Sequence, residues 1–428
     1  MNKDLRLDKF YTRGILDLVK NPGVLFLVAA VTFCAVGAYI HPAYLKKVVW
    51  SKQVTQCGKL ENNTAQIECA FKPITEAIKS EGLEVGMEVF AEAYTTLRSF
   101  VVTGCHKHAH RVGDIAYYQV YFGQKDLSTI NFPQSTTACG YGFYHGFLEH
   151  LIQDNNTHEF VTNTCEYLSE RYGSTMRDMR ITCYHGAGHG LMLGHVQKIA
   201  EKDWGNVREF VTYPFSQCDL LSKANELEKE QCKEGLFNLI ADWREAKQYG
   251  FQAEADGNLF SMCDRLPQNM HKSCYFEVAQ KVDRASDNDP VKLVGIAKAV
   301  QDKDQIPVVF SVGIAGIMQR VIVEEDGYKK IIASCSKLDD PFVSLCMTSV
   351  INGFFEHGEP QKEYVKALGI CTLPEIEKKG MQEMCYEAVS QRLLRFYTKD
   401  KIENICRMFP STYRDSCLKK ITERGGSQ

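Results

Sequence analysis

Sixteen of the seventeen cysteines in this 428-residue chain fall into eight close sequential pairs. The pairs are Cys57/Cys69, Cys105/Cys139, Cys165/Cys183, Cys218/Cys232, Cys263/Cys274, Cys335/Cys346, Cys371/Cys385 and Cys406/Cys417. An even set at regular spacing predicts a disulfide framework built in an oxidising compartment. The odd thiol, Cys34, lies inside an apolar run. With the other thiols locked in bridges, any metal has to be held by imidazole and carboxylate.

The second cysteine of each pair opens a recurring segment. Cys139, Cys183, Cys232, Cys274, Cys346 and Cys385 are followed six residues later by His145, His189, Asn238, Gln280, Asn352 and Gln391. Three residues after the cysteine stands a small residue, Gly142, Gly186, Gly235, Ser349 or Ala388, with Glu277 the exception. Gly313 to Gln319 fits the same frame with glycine in place of cysteine. The segments recur at roughly 32 to 49 residues, the range of two-helix repeats. The small residue admits a neighbouring helix closely, and the amides are expected to cap helix ends or bond one another.

Helical periodicity supports an all-α fold. Leu83, Val85, Met87, Val89, Phe90 and Tyr94 recur at helical intervals, as do Ile376, Met381, Met384, Val389, Leu393 and Leu394. Strand signals are sparse, and Asp256-Gly257 and Asp326-Gly327 read as linkers or caps. Pro267, Pro374 and Pro410 follow first cysteines closely and mark helix boundaries. The expected unit is a disulfide-stapled helical hairpin. Its first cysteine ends one helix and its second begins the next. The units stack into a superhelix or close into an α/α ring.

Val24 to Ile40 is an unbroken apolar run after a basic leader, at the short end of a membrane-spanning helix. A single N-terminal transmembrane helix over 23–41 is expected, with a cytoplasmic segment 1–22 and a juxtamembrane linker 42–72 holding the first disulfide. Two regions follow, 73–205 rich in histidine and 206–428 made of helical repeats. The leader is long for a cleaved signal peptide. All the paired cysteines follow the apolar run, which puts the bulk of the chain outside the cytoplasm, in a periplasmic, extracellular or lumenal space. The net charge of −3 leaves no basic excess for nucleic acid. The membrane is the expected partner; the residues name neither substrate nor protein partner.

Seven of the twelve histidines crowd three motifs, Cys105-His-Lys-His-Ala-His110, His145-Gly-Phe-Leu-Glu-His150 and His185-Gly-Ala-Gly-His189. Each holds two candidate ligands four residues apart, His106/His110, His145/Glu149 and His185/His189, a spacing that puts both on one helix face. These six are the expected metal ligands. Imidazole suits zinc, copper or iron, in one ion or two. Glu149 is the expected catalytic base, being the one candidate ligand that can also take a proton. Gly186, Gly188 and Gly190 each weaken a helix by about 1 kcal/mol, which signals close approach of a helix, ligand or ion. His108, His150 and His195 fall off the proposed faces. Tyr141, Tyr144 and Tyr184 are expected to pack. Asn352 to His357 echoes His145 to His150, with Glu356 expected at a solvated helix end.

Cys139-Gly-Tyr-Gly and Cys183-Tyr-His-Gly are similar, over a few residues, to the zinc ligands of lanthionine cyclases, an α/α-toroid family. That likeness requires free thiolates, and Tyr184 splits the expected Cys-His pair, so no membership is assigned. Two function classes follow. One is a membrane-anchored metalloenzyme performing hydrolysis or redox chemistry. The other is a helical-repeat interaction scaffold with a structural metal or none.

Overall fold

The computed structural model describes residues 49–425 except 123–125, 175, 177, 253–257 and 325. The expected cytoplasmic segment, the anchor and Asp256-Gly257 lie outside the described residues. Among the described residues there is no strand, and no helix is long and apolar enough to cross a membrane.

From Asn63 onward, the helices of eight or more residues are α1 (Asn63–Glu81), α2 (Leu83–Thr96), α3 (Cys105–Ala116), α4 (Gly142–Asp154), α5 (His158–Tyr172) and α6 (Met179–Val196). They continue as α7 (Val207–Asp219), α8 (Glu226–Ala246), α9 (Gln268–Ala279), α10 (Pro290–Ala299), α11 (Ile306–Val321) and α12 (Gly327–Cys335). The last are α13 (Phe342–His357), α14 (Glu363–Ile370), α15 (Gln382–Phe396), α16 (Lys399–Cys406) and α17 (Ser411–Gly425). Local chemistry sets their ends. Asn225 and Glu228 form a capping box on α8. Pro290 opens α10, and Pro267 and Pro410 immediately precede α9 and α17. The apolar periodicity from Ile376 to Leu394 spans two helices, because Gly380 breaks it with φ of 66°.

All eight cysteine pairs are disulfide-bonded, with Cα–Cα distances from 5.4 Å to 5.7 Å. The zinc-thiolate likeness at Cys139 and Cys183 therefore has no free thiol to rest on. Cys218, Cys335 and Cys406 end their helices as expected, but Cys232, Cys346 and Cys417 sit one to two turns inside the next. A bridge joins antiparallel helices where their axes have come side by side, and that point lies beyond the connecting turn. Cys105 opens a helix instead of ending one, and the long connection from Tyr117 to Tyr141 separates it from α4.

The hairpins α5/α6, α7/α8, α10/α11, α12/α13, α14/α15 and α16/α17 pack internally. Their second helices then pack in series, α4 on α6, α6 on α8, α8 on α9, α9 on α11, α11 on α13 and α13 on α15. α3 lies on α4, and α13 returns to touch α3. Bonds between the early and late chain fix this return. Tyr94 Oη donates to the His357 carbonyl at 2.7 Å, Gln134 Nε2 to the Phe396 carbonyl at 3.1 Å, and Arg395 pairs with Asp178. The core runs through the serial helices, where Phe143, Tyr144, Phe147, Tyr184, Phe237, Phe310 and Phe354 are fully buried.

Glycine makes the tightest crossings. A Cβ on Gly188 would strike the Cys232 carbonyl, and one on Gly235 the His185 carbonyl. A Cβ on Gly142 would strike the His106 carbonyl, and one on Gly146 the His110 carbonyl. These helices meet backbone to backbone, which no larger residue permits. The partner that the sequence glycines signal is another helix.

Candidate metal centre

The close crossings decide where the histidines go. α3 and α4 touch at the turns that carry His106 and His110. α6 lies on α4 with Gly190 facing the Glu149 carbonyl, 2.8 Å from where a Cβ would stand. The six expected ligands, His106, His110, His145, Glu149, His185 and His189, are thereby brought into one connected cluster.

The cluster has an ordered interior. The ring centroids of His145 and His185 are 4.4 Å apart, those of His145 and His189 5.5 Å, and those of His185 and His189 5.3 Å. One ligand-capable atom from each of these three lies within 4.8 Å of the others. All three are buried. His106 stands behind them, with Nε2 3.1 Å from His145 Nδ1 and Nδ1 2.9 Å from the Cys139 carbonyl oxygen. On the other side, Glu149 Oε2 lies 3.1 Å from both His189 Nδ1 and His110 Nε2. His110 Nδ1 is 3.6 Å from Asp114 Oδ1, and His150 Nε2 is 3.5 Å from that same oxygen.

These contacts fix the tautomers. The Cys139 carbonyl only accepts, so His106 carries its proton on Nδ1 and offers its Nε2 lone pair. His145 then donates from Nδ1 and keeps a lone pair on Nε2. Ionised Glu149 likewise accepts from His189 Nδ1, leaving His189 Nε2 as a lone pair. That Nε2 is buried and has no hydrogen-bond partner. Carbonyl and carboxylate partners that orient imidazole in this way are characteristic of metal-binding histidine.

Electrostatics separate the two sides. Burial first, then the neighbouring imidazoles, hold His145 and His185 well below the usual histidine range. Burial and then His110 lower His106 to about 4. These rings are neutral at pH 7, the form that binds metal. Burial opposes charge on His110 as well, but its contacts with the Asp114 and Glu149 carboxylates outweigh it and raise His110 to about 10. Glu149 is pushed up by burial and pulled down more strongly by His110 and His189, so its carboxylate stays ionised. Neutral His145 and His185, with His189 beside them, thus adjoin a protonated imidazole, His110, held between carboxylates. Exposure falls inward along this line, from 31% for the Asp114 side chain to 12% for Glu149 and 2% for His189.

Several residues join the site that sequence reasoning set aside. His150 contacts Asp114, and Asp114 follows His110 by four residues, a spacing that extends the His106/His110 face. Glu234 and Glu277 reach His185 across the boundary at 205, their ligand-capable atoms within 4.8 Å of one another. Burial raises Glu234 to about 7 and Glu277 well above the carboxyl range. Glu277 fills the slot that is small in the other repeats, and that anomaly was its signal. Glu356 is not a solvated helix end: it pairs with Arg392 at 3.4 Å and faces Gly140 beside His106. Asn238 and Gln280 neither cap helices nor bond each other; both donate to Glu277 at 2.6 Å. Asn352 accepts from Arg392 at 2.6 Å.

His108, His195 and the tyrosines singled out in the sequence serve packing. His108 meets Thr103 Oγ1 at 2.6 Å and lies against Phe100. His195 packs on Tyr213. Tyr144 Oη is 2.7 Å from Thr136 Oγ1, Tyr141 Oη donates to the Arg395 carbonyl, and Tyr184 lies under Arg180.

The donor set fits a transition ion. Three buried imidazoles can hold a metal ion: His185, together with His145 and His189, whose tautomers are imposed from behind, His189 also having an orphaned inward nitrogen. No protein family matches this chain, and neither a curated protein nor a solved structure does.

Proposed function

We propose that this protein is a membrane-anchored, extracytoplasmic metalloenzyme of the hydrolytic class. In this reading the stapled hairpins close as an α/α ring around one first-row divalent ion, zinc by preference, on His145, His185 and His189. The contact of α13 with α3 supports closure, and the disulfides support an oxidising compartment. The apolar run over 23–41 supplies the anchor.

The orphaned Nε2 of His189 carries the proposal. A buried imidazole nitrogen without a partner forfeits a hydrogen bond, and a shared ion satisfies it together with His145 and His185. When bound, such an ion supplies Lewis acidity at a fourth, open position. The chain's own residues supply the rest. His106 and Glu149 orient His145 and His189. Glu149, held between His110 and His189 and kept ionised by them, is a positioning group that accepts from both rings, and its depressed basicity makes it a poor base for a water proton. His110 holds the proton a leaving group needs, and Asp114 and His150 connect it to solvent. The acid–base line beside the imidazoles, with His110 holding a proton for a leaving group, is what supports the hydrolytic reading.

The test is elemental analysis of the disulfide-intact outer domain beside His145→Ala and His189→Ala. A stoichiometric first-row metal in the wild type and its loss in both variants is expected. A wild type that takes up no metal overturns the proposal and returns the protein to the scaffold class.

A further inference from the structure

The geometry points to a second, harder cation position that shares His185, formed by His185, Glu234 and Glu277. These residues come from α6, α8 and α9, and one ligand-capable atom of each lies within 4.8 Å of the others. All are buried, with Glu277 0% and Glu234 5% exposed.

Two observations argue for a cation here. The first is how Glu277 is bonded. Its Oε2 accepts from Asn238 Nδ2 and from Gln280 Nε2, each at 2.6 Å. Its Oε1 is buried with no partner at all. Two N–H donors on one oxygen mark that oxygen as an acceptor, so any proton would have to sit on Oε1, where nothing accepts it. The carboxyl is therefore incomplete in either protonation state, and a cation at Oε1 completes it.

The second is that, among the described residues, no cationic side chain forms an ion pair with Glu234 or Glu277; Arg395, whose charge reaches Glu234, is paired with Asp178. Glu234 is hydrogen-bonded by Gln231, a neutral amide. Lys281, just beyond α9, is taken by Asp242 at 2.6 Å and Glu245 at 3.5 Å. Lys272, within α9, lies 4.0 Å from Glu230. Asn238 and Gln280, the repeat amides of α8 and of the α9 C-terminus, hold one carboxylate oxygen and leave the other without a hydrogen bond. The Gly188–Gly235 crossing brings α8 against the His185 backbone, which sets Glu234 at this depth.

One imidazole and two carboxylates suit Mn2+ or Fe2+ better than the all-imidazole set beside them. His185 belongs to both groups; a neutral imidazole offers a single lone pair, so holding both ions at once requires His185 to release its remaining ring proton to solvent and bridge them as an imidazolate. The inference stands or falls separately from the tri-imidazole centre.

The experiment loads chelator-stripped, disulfide-intact protein with Mn2+ and then Zn2+. It counts ions per chain and records the Mn2+ spin-resonance spectrum for wild type, Glu277→Gln, Glu234→Gln and His189→Ala. Two ions per wild-type chain are expected, with at least a tenfold loss of Mn2+ affinity in both glutamine variants and zinc retained. His189→Ala should keep Mn2+ and lose zinc. Cooperative melting of the glutamine variants shows that they fold, and if Glu277→Gln does not fold, Glu234→Gln decides. A wild type that takes one ion, lost in His189→Ala and unchanged in the glutamine variants, overturns the second position alone. One ion lost in the glutamine variants and kept in His189→Ala supports it and ends the tri-imidazole proposal.

Discussion

His106 and His145 meet nitrogen to nitrogen, Nε2 of the first 3.1 Å from Nδ1 of the second. Two imidazoles at this distance share one proton, and the Cys139 carbonyl decides which ring supplies it, because it claims the proton on His106 Nδ1. The choice passes through both rings and leaves His145 Nε2 unprotonated toward His185 and His189. The backbone that delivers the carbonyl is unusual. Cys139, Gly140 and Tyr141 all have positive φ, at 57°, 62° and 62°. Two of the three are not glycine, a conformation that costs about 1 kcal/mol or more at each. The Cys105–Cys139 bridge and the bond from Tyr141 to the Arg395 carbonyl hold the turn in place.

The α6–α8 crossing is expected to be intolerant of a single methyl group. Gly188→Ala and Gly235→Ala each place a Cβ on facing backbone, and relief by helix displacement should cost about 1–3 kcal/mol or more. Gly295→Ala is the internal control. It lies inside α10 with nothing within 4 Å of its would-be Cβ, and should stabilise by about 1 kcal/mol through helix propensity. Urea melts of the three variants give the ordering, and equal effects at all three positions would refute the crossing.

Those glycines also mark what the sequence could reveal. Local periodicity placed His106 with His110, His145 with Glu149 and His185 with His189, because a spacing of four is a property of one helix. Cysteine spacing gave the bridges for the same reason: most close short loops. The partners of each face were a different matter. Glu234 and Glu277 sit on helices without ligand histidines. They reach His185 only because α8 crosses α6 at a glycine pair and α9 packs on α8. Glu356 reaches His106 because α13 returns to α3. Such contacts depend on crossing points and on the path of the whole chain, and no window of sequence encodes them. Asp114 was within reach, since 106, 110 and 114 share a face.

A buried carboxyl outside the histidine cluster gives a titration to measure. Glu363 is 2% exposed, and burial raises it to about 7 despite the Tyr397 hydroxyl that donates to it. The folded chain therefore keeps this proton while the unfolded chain gives it up near 4.5. Between those values the folded state binds more protons, so the glutamate's contribution to stability falls as pH rises. Wild type should lose about 3 kcal/mol relative to Glu363→Gln between pH 4.5 and 7. Paired denaturant titrations across that window measure the difference, and a flat difference would show that Glu363 ionises normally.

The staples should act independently of the site. Cys263 and Cys274 close a loop of sequence separation 11, for which chain entropy alone gives about 3 kcal/mol. Replacing both with alanine should lower stability by about that amount and leave the zinc content of the tri-imidazole site unchanged, because this bridge joins neither α3, α4 nor α6, although its α9 also carries Glu277. Melting curves with metal counts test both halves. In the full chain, thiol titration under denaturing, non-reducing conditions should find a single thiol, Cys34, since the other cysteines are bridged.

His106 offers the sharpest distinction between a ligand and a residue that positions one. Both of its nitrogens are occupied, one by Cys139 and one by His145, so its role is to hold the His145 tautomer. A glutamine at 106 can still accept from His145 Nδ1, whereas a leucine cannot. His106→Leu should weaken metal affinity about 10–100-fold, the usual effect of removing a partner behind a ligand, while leaving the stoichiometry unchanged. His106→Gln should recover most of that loss. Chelator competition reads the affinity, and the absorption bands of a Co2+-substituted protein read the number and type of ligands. Matching bands in wild type and both variants, with affinity falling only in the leucine variant, establish the positioning role. A change of bands in both variants, with an ion lost from each, would instead make His106 a ligand in its own right.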